Sequence, residues 1–211
     1  KSPKNISFIE QLILIIFVYI LIAILVSIPF YLSNYQVTFL DSIFESISGL
    51  TGTGFSIFSD IKYLDPTLIL WRSSSQWIGG LYFLYFLILI FSNKQFTFKL
   101  NNLTYTSDGN IINSNNIKNL LLKIFLIYSS LSLIIFFFLN ISEIRLFNAL
   151  NLMMTIISTG GFLPTDSLEN IFSYDGQKAI LILCFLIPTF NLFFLINLNI
   201  KKKIITEHKE D

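Results

Sequence analysis

Charge is scarce in this chain. Only 13% of its 211 residues are Asp, Glu, Lys or Arg, about half the roughly 25% usual in soluble domains, while 54% are hydrophobic. That balance excludes a solvated globular domain and predicts an integral membrane protein. Cysteine occurs once, as Cys184, so an intrachain disulfide is excluded and the redox compartment is left unmarked. Histidine also occurs once, as His208 in a charged tail, without companions at metal-ligand spacing. No nucleophile stands beside a base among the apolar runs. An enzyme is therefore the least expected class, and no cofactor is required. The net charge of +1 gives no reason to expect nucleic acid as a partner.

Apolar length is abundant. Leu12 to Phe30, Leu68 to Phe91, Lys118 to Leu139 and Ala179 to Leu198 are runs able to cross a hydrocarbon core of about 30 Å, which takes roughly 20 helical residues. The 23 phenylalanines suit lipid-facing surface and interhelical packing. Ser7 is placed to cap the first helix, which Ser33-Asn34 stops, and Pro66 suits the first turn of the second long helix. Gly79-Gly80 offers another backbone a close approach. Asn93 to Asn116, rich in Asn, Thr, Ser and Lys with a turn at Asp108-Gly109, reads as a connector.

Between the first two runs lies FESISGLTGTGF, Phe44 to Phe55. A helix too short to span, followed by a Gly-punctuated turn, reads as a re-entrant pore loop, because non-helical backbone survives at membrane depth only in protein or along a watery cavity. The same order recurs between the last two runs, where a short helix leads into STGGF at Ser158 to Phe162. Aligning Gly54-Phe55 with Gly161-Phe162 brings all parts into register. The expected fold is thus all-α and membrane-embedded: two tandem span, pore helix, filter, span repeats, with four transmembrane helices and two re-entrant loops. The first repeat covers 1–100, with a pore helix over about 41–50, begun and capped by Asp41, and a filter over 51–55. The second covers 101–211, with a pore helix over about 143–157 and a filter over 158–162.

A cation crossing a bilayer exchanges its hydration shell for other oxygens, and rings of backbone carbonyls supply them. Aiming successive carbonyls at one axis demands dihedrals that Gly reaches without steric cost. The expected ion-binding residues are therefore Thr51, Gly52, Thr53 and Gly54 in the first loop and Ser158, Thr159, Gly160 and Gly161 in the second. The Thr hydroxyls either add oxygens or brace the loops from behind. Each pore helix ends at its loop and directs the negative end of its dipole there.

Charges near membrane depth are costly unless paired or wet, so Glu45 and Arg72 are expected to pair and hold the pore helix to the next span. Asn191, following the kink expected at Pro188, faces a neighbouring helix or the pore. Asp60, Asp65, Asp166, Glu169 and Asp175 either draw cations to the mouth or are solvated loop residues. Basic residues concentrate in the terminal and central segments, including Lys201-Lys202-Lys203, which by the positive-inside rule places both termini in the cytoplasm and both filters outside. No signal-peptide pattern precedes the first run.

At these residues the chain resembles a known group. FESISGLTGTGF followed by LWRSSSQWIGG, and FNALNLMMTIISTGGFLPTD with the later FLIPTFNLFFLIN, resemble the first two repeats of the TrkH/KtrB/HKT superfamily of potassium transporters, the TrkH branch in particular. The resemblance implies a multi-pass plasma (inner) membrane protein. Four such repeats surround one potassium pore, with a dimer of pores and cytoplasmic nucleotide-binding regulatory subunits of the TrkA/KtrA type. Gly54 and Gly161 hold the filter position that goes with potassium, whereas Gly52 stands where TrkH proteins usually have Thr. Two of the four repeats are present, as in the N-terminal half of such a protein, truncated or split. The alternatives are a homodimeric cation channel with two pore loops per chain, and a secondary carrier with discontinuous helices. The second predicts repeats of opposite topology, where here both begin and end on one side.

Overall fold

The computed structural model describes residues 8–91 and 114–189. Among them all regular structure is helical: α1 (Phe8–Tyr31), α2 (Phe39–Thr51), α3 (Pro66–Phe91), α4 (Ser114–Ile141), α5 (Leu146–Ile157) and α6 (Asp175–Leu186). Short 3-10 turns lie at Ile61–Tyr63, Leu168–Asn170 and Ile187–Thr189. The last contains Pro188, where the α-helical pattern of α6 stops, as a residue without an N–H requires.

Two of the four expected spans, Ile9–Tyr31 and Lys118–Ile141, are long and apolar enough to cross a membrane. α3 has the length, 26 residues, but carries the polar stretch Arg72–Gln76 within it. α6 is described over 12 residues, too few to cross. The remainder of the fourth run lies outside the described residues, as do Ser7, Asp108-Gly109, Asn191, Lys201-Lys202-Lys203 and His208.

Both short helices depart from expectation at their starts. α2 begins before Asp41, because Thr38 is the N-cap: its Oγ1 accepts from the Asp41 N–H (3.2 Å) and donates to Asp41 Oδ2 (2.6 Å). Thr and Asp both serve at that position, and such a cap contributes about 1 kcal/mol. α5 begins later than 143, because Glu143 adopts φ 60 in the preceding turn. Gln36, before α2, does the same at φ 53. The interval from Gln36 to Glu143 equals that from Gly54 to Gly161, so the two short helices are each preceded by a left-handed residue at the same distance from the glycine of the following loop.

Polar side chains lie inside alongside the apolar cores, and large apolar side chains lie outside. Ser27, Ser46, Glu45, Arg72, Ser73, Ser75, Gln76, Asn151 and Thr155 are buried, while Ile13, Phe17, Leu25, Leu133 and Phe137 are exposed on α1 and α4. Lipid is as apolar as these surfaces, so burial of apolar area does not drive the helices together. Close packing and interhelical hydrogen bonds do, the latter worth roughly 0.6–2 kcal/mol each. Ser46 Oγ of α2 donates to the Ala23 carbonyl of α1 (2.6 Å), Trp71 Nε1 of α3 to that of Val26 (3.0 Å), and Tyr82 Oη to that of Ile15 (2.7 Å). On the other side of α3, Trp77 Nε1 donates to Ser132 Oγ of α4 (3.0 Å) and Tyr128 Oη to the Trp77 carbonyl (3.1 Å).

Two main cores form. One gathers Ala23, Val26, Phe30, Leu50, Leu64 and Leu68; the other gathers Ile135, Leu139, Leu152, Ile156, Phe172 and Leu181. Helix α3 serves both, since Trp77, Leu81 and Leu84 pack on the second core and α3 lies against α5 as well as α2. A Cβ on Gly79 would fall 2.6 Å from Leu50 Cα, so glycine there lets the end of α2 rest on α3.

Candidate ion pathway

Both short helices close in the same way. After α2, the Gly52 N–H donates to the Gly49 carbonyl (3.0 Å) and the Thr53 N–H to that of Ser48 (3.1 Å), with Gly52 left-handed at φ 69. After α5, the Thr159 N–H donates to the Ile156 carbonyl (3.0 Å) and the Gly160 N–H to that of Thr155 (2.8 Å), with Thr159 at φ 54. Each is the paired closure that ends a helix on a left-handed residue. The first loop has glycine there and the second a β-branched residue, for which a positive φ costs on the order of 1–3 kcal/mol.

A second pair of equivalent bonds turns each loop back on its helix. Ser48 Oγ donates to the Phe55 carbonyl, and Thr155 Oγ1 to the Phe162 carbonyl (2.9 Å). The threonine hydroxyls at the loop bases are engaged locally: Thr51 Oγ1 bonds the Ile47 carbonyl (2.8 Å) and Thr53 Oγ1 (2.7 Å), and Thr159 Oγ1 the Ser158 carbonyl (2.7 Å).

The two loops meet at their glycines. A Cβ on Gly54, which has φ 79, would lie 2.6 Å from Gly161 Cα and 2.9 Å from its nitrogen, and one on Gly52 would lie 3.5 Å from the Ser158 carbonyl oxygen. Of the eight residues expected to form the filter, Thr51, Thr53, Thr159 and Gly161 are exposed and the other four half-buried. The structure thus brings all eight to one place, on backbone rather than side-chain contact.

Behind the first loop, Glu45 and Arg72 pair as anticipated, Arg72 Nε to Glu45 Oε1 at 2.7 Å, both fully buried. Glu45 Oε1 also accepts from Ser56 Oγ (3.0 Å) and Oε2 from the Ile57 N–H (2.9 Å), while Arg72 Nη2 donates to Ser56 Oγ (2.9 Å). A buried pair costs desolvation on both sides, offset only when the remaining lone pairs and protons are satisfied. Ser56 and Ile57, on the chain leaving the first loop, supply partners for both carboxylate oxygens and for Nη2, while Arg72 Nη1 is buried without a hydrogen-bond partner among the described residues. The guanidinium also stacks on the Phe162 ring at 4.3 Å, so one side chain reaches the ends of both glycine-containing loops.

Sequence reasoning missed three groups. Gln76 is fully buried and its Oε1 accepts from the Phe162 N–H (3.3 Å). Ser56 links Glu45 to Arg72. Asp166, read as a mouth or solvated acid, is solvent-exposed and also accepts from the Ile61 (2.6 Å) and Lys62 (3.3 Å) N–H groups through Oδ1, which ties the two outer loops together. A polar residue inside an apolar run was the only available signal for Gln76. Its partner lies 86 positions away.

A helical bundle with an apolar coat, a polar interior and two backbone loops meeting at their glycines has the construction of a membrane transport protein. The chain belongs to the TrkH family, described as cation transport proteins, whose profile matches residues 6–208. It is 30% identical over 165 residues to an uncharacterized cation transporter of Methanocaldococcus jannaschii, covering 76% of this chain and 33% of that one. It is 32% identical over 82 residues to the Trk system potassium uptake protein TrkG of Escherichia coli, covering 38% and 17%. The fold is similar to the crystal structure of the potassium transporter TrkH from Vibrio parahaemolyticus, with TM-score 0.65 and 21% identity over 87% of this chain and 36% of that one. The chain spans a third or less of the length of the curated relatives it matches.

Proposed function

We propose that this chain supplies two of the four pore-loop repeats of a potassium uptake protein. Its loops 51–55 and 158–162 form half of a selectivity filter in which backbone carbonyls replace the water around potassium. The observation that carries the reading is the meeting of Gly54 and Gly161 at the ends of two short helices whose closures are equivalent bond for bond. The membership in a cation transport family and the potassium uptake proteins among the relatives support it. In this reading α3 and the full fourth run complete four spans in the plasma (inner) membrane, both termini are cytoplasmic, and regulatory nucleotide-binding subunits of the TrkA/KtrA type dock on that side.

Exposure of the first loop fits a chain that requires further repeats against it, from a second half or from a second copy. Phe162 is 1% exposed beneath Arg72 of the preceding repeat, whereas the equivalent Phe55 is 69% exposed. A further repeat set against the first loop covers Phe55 as α3 covers Phe162. The test is growth at low potassium of potassium-requiring cells that lack their own transporters, expressing the chain alone or with a TrkH-type second half, each beside a Gly54→Ser control. Rescue by the combination, lost in the control, is expected. Rescue by the chain alone points instead to a homodimer, and no rescue from either, with both proteins in the membrane, overturns the reading.

A further inference from the structure

The second filter loop lacks the glycine that eases the first. Thr159 holds the left-handed position at φ 54 where Gly52 stands in the first loop, so the second loop needs stronger restraint from outside. That restraint comes from the other repeat. Gln76 of α3 accepts from the Phe162 N–H and lies so close beneath Gly160 that a Cβ there would fall 2.6 Å from Gln76 Nε2. Thr155 Oγ1 holds the Phe162 carbonyl, and Arg72 covers the ring. Phe162 is therefore pinned at its nitrogen, its oxygen and its side chain.

The bond to the nitrogen has a consequence for the residue before it. A peptide unit is planar and trans, so its C=O and N–H point in opposite directions. With the Phe162 N–H directed at Gln76, the Gly161 carbonyl is directed away from α3. We propose that Gln76 is a positioning residue that sets the ion preference of the second filter loop by fixing the plane of the Gly161-Phe162 peptide. This rests on the filter reading above. Without the acceptor, the plane is free to turn and withdraw the carbonyl from the pathway face.

Gly is followed by Phe twice in the chain, at Gly54-Phe55 and Gly161-Phe162. Carbonyl-13C glycine with 15N phenylalanine therefore gives two paired NMR signals from the full chain in lipid bilayers, the first an internal control for the second. Gln76→Leu removes the acceptor and is expected to move the second signal alone. Gln76→Glu keeps an acceptor at the same reach and is expected to restore it. Where the chain and a second half take up potassium, Gln76→Leu is expected to lower the preference for potassium over sodium roughly fivefold, the worth of about one hydrogen bond, with Gln76→Glu recovering most of it. Signals that both stay put, or both move alike, overturn the proposal. A moved second signal with unchanged ion preference overturns the specificity role. Failure of the filter reading is separately visible as absence of uptake, and leaves the NMR comparison intact.

Discussion

Gly161 occupies the space that a side chain on Gly54 would need: a Cβ at 54 would lie 2.6 Å from Gly161 Cα, whereas one at 161 would lie 3.2 Å from Gly54 Cα. The two positions are equivalent in the repeat but not in their tolerance. Gly54 also has φ 79, while Gly161 is not among the residues of positive φ. Because the obstacle at 54 is backbone, no rotamer relieves it.

Gly54→Ala is therefore expected to cost about 3 kcal/mol or more, adding an overpacking clash to left-handed strain. Gly161→Ala, which needs a shift of a few tenths of an ångström, should cost about 1 kcal/mol. Thermal unfolding of the two variants in the same detergent separates them. Equal midpoints would show that the loops do not meet at these residues.

Glu45 and Arg72 make a second test. Removing one partner leaves a buried charge, with a cost of about 3–5 kcal/mol. Glu45→Ala and Arg72→Ala should each destabilise strongly, and the double variant by clearly less than their sum, a coupling of about 2 kcal/mol in a double-mutant cycle. Glu45→Gln should be milder than Glu45→Ala, since an amide oxygen can still accept from the Ile57 N–H. Additive effects would mean that the two side chains act separately.

Much of this was legible beforehand, for identifiable reasons. The all-helical fold and its two short helices showed because short helix, Gly-rich turn and long apolar run differ in length, and length survives substitution. The Glu45–Arg72 pair showed because two charges between apolar runs have few other solutions. The cap of α2 did not, since Thr38 and Asp41 are both good capping residues and only the backbone at Thr38, with ψ 161, decides between them. The bonds from Gln76 to Phe162 and from Asp166 to Ile61 join positions about a hundred residues apart, beyond any local pattern. The left-handed Thr159 runs against its own propensity and is imposed by the closure of α5.

Asp166 yields a prediction at the outer surface. Its carboxylate holds two backbone N–H groups of the first repeat, and the residue is solvent-exposed, so water and salt weaken the bond. Asp166→Ala is expected to cost only about 1 kcal/mol and to speed proteolysis within Ile57–Asp65, more visibly at low salt than at high. Unchanged cleavage of that segment would remove the clamp.

Thr159 supplies the last test, because its strain and its chemistry pull in different directions. Replacing it by glycine removes the cost of a β-branched residue at φ 54, on the order of 1–3 kcal/mol. It also gives the unfolded chain more freedom, which takes back up to about 1 kcal/mol, and it deletes the hydroxyl bonded to the Ser158 carbonyl. The net expectation for Thr159→Gly is a stability equal to the parent or higher by about 1 kcal/mol. The reciprocal Gly52→Thr, at φ 69 with the Ser158 carbonyl oxygen 3.5 Å from the new Cβ, should lose about 1–2 kcal/mol, since it adds the strain without the Gln76 bracket that restrains the second loop. Unfolding midpoints of both variants decide the matter. A Thr159→Gly protein that melts well below the parent would show that the left-handed threonine is held at no cost, and that its hydroxyl, rather than the backbone closure, keeps the second loop in place.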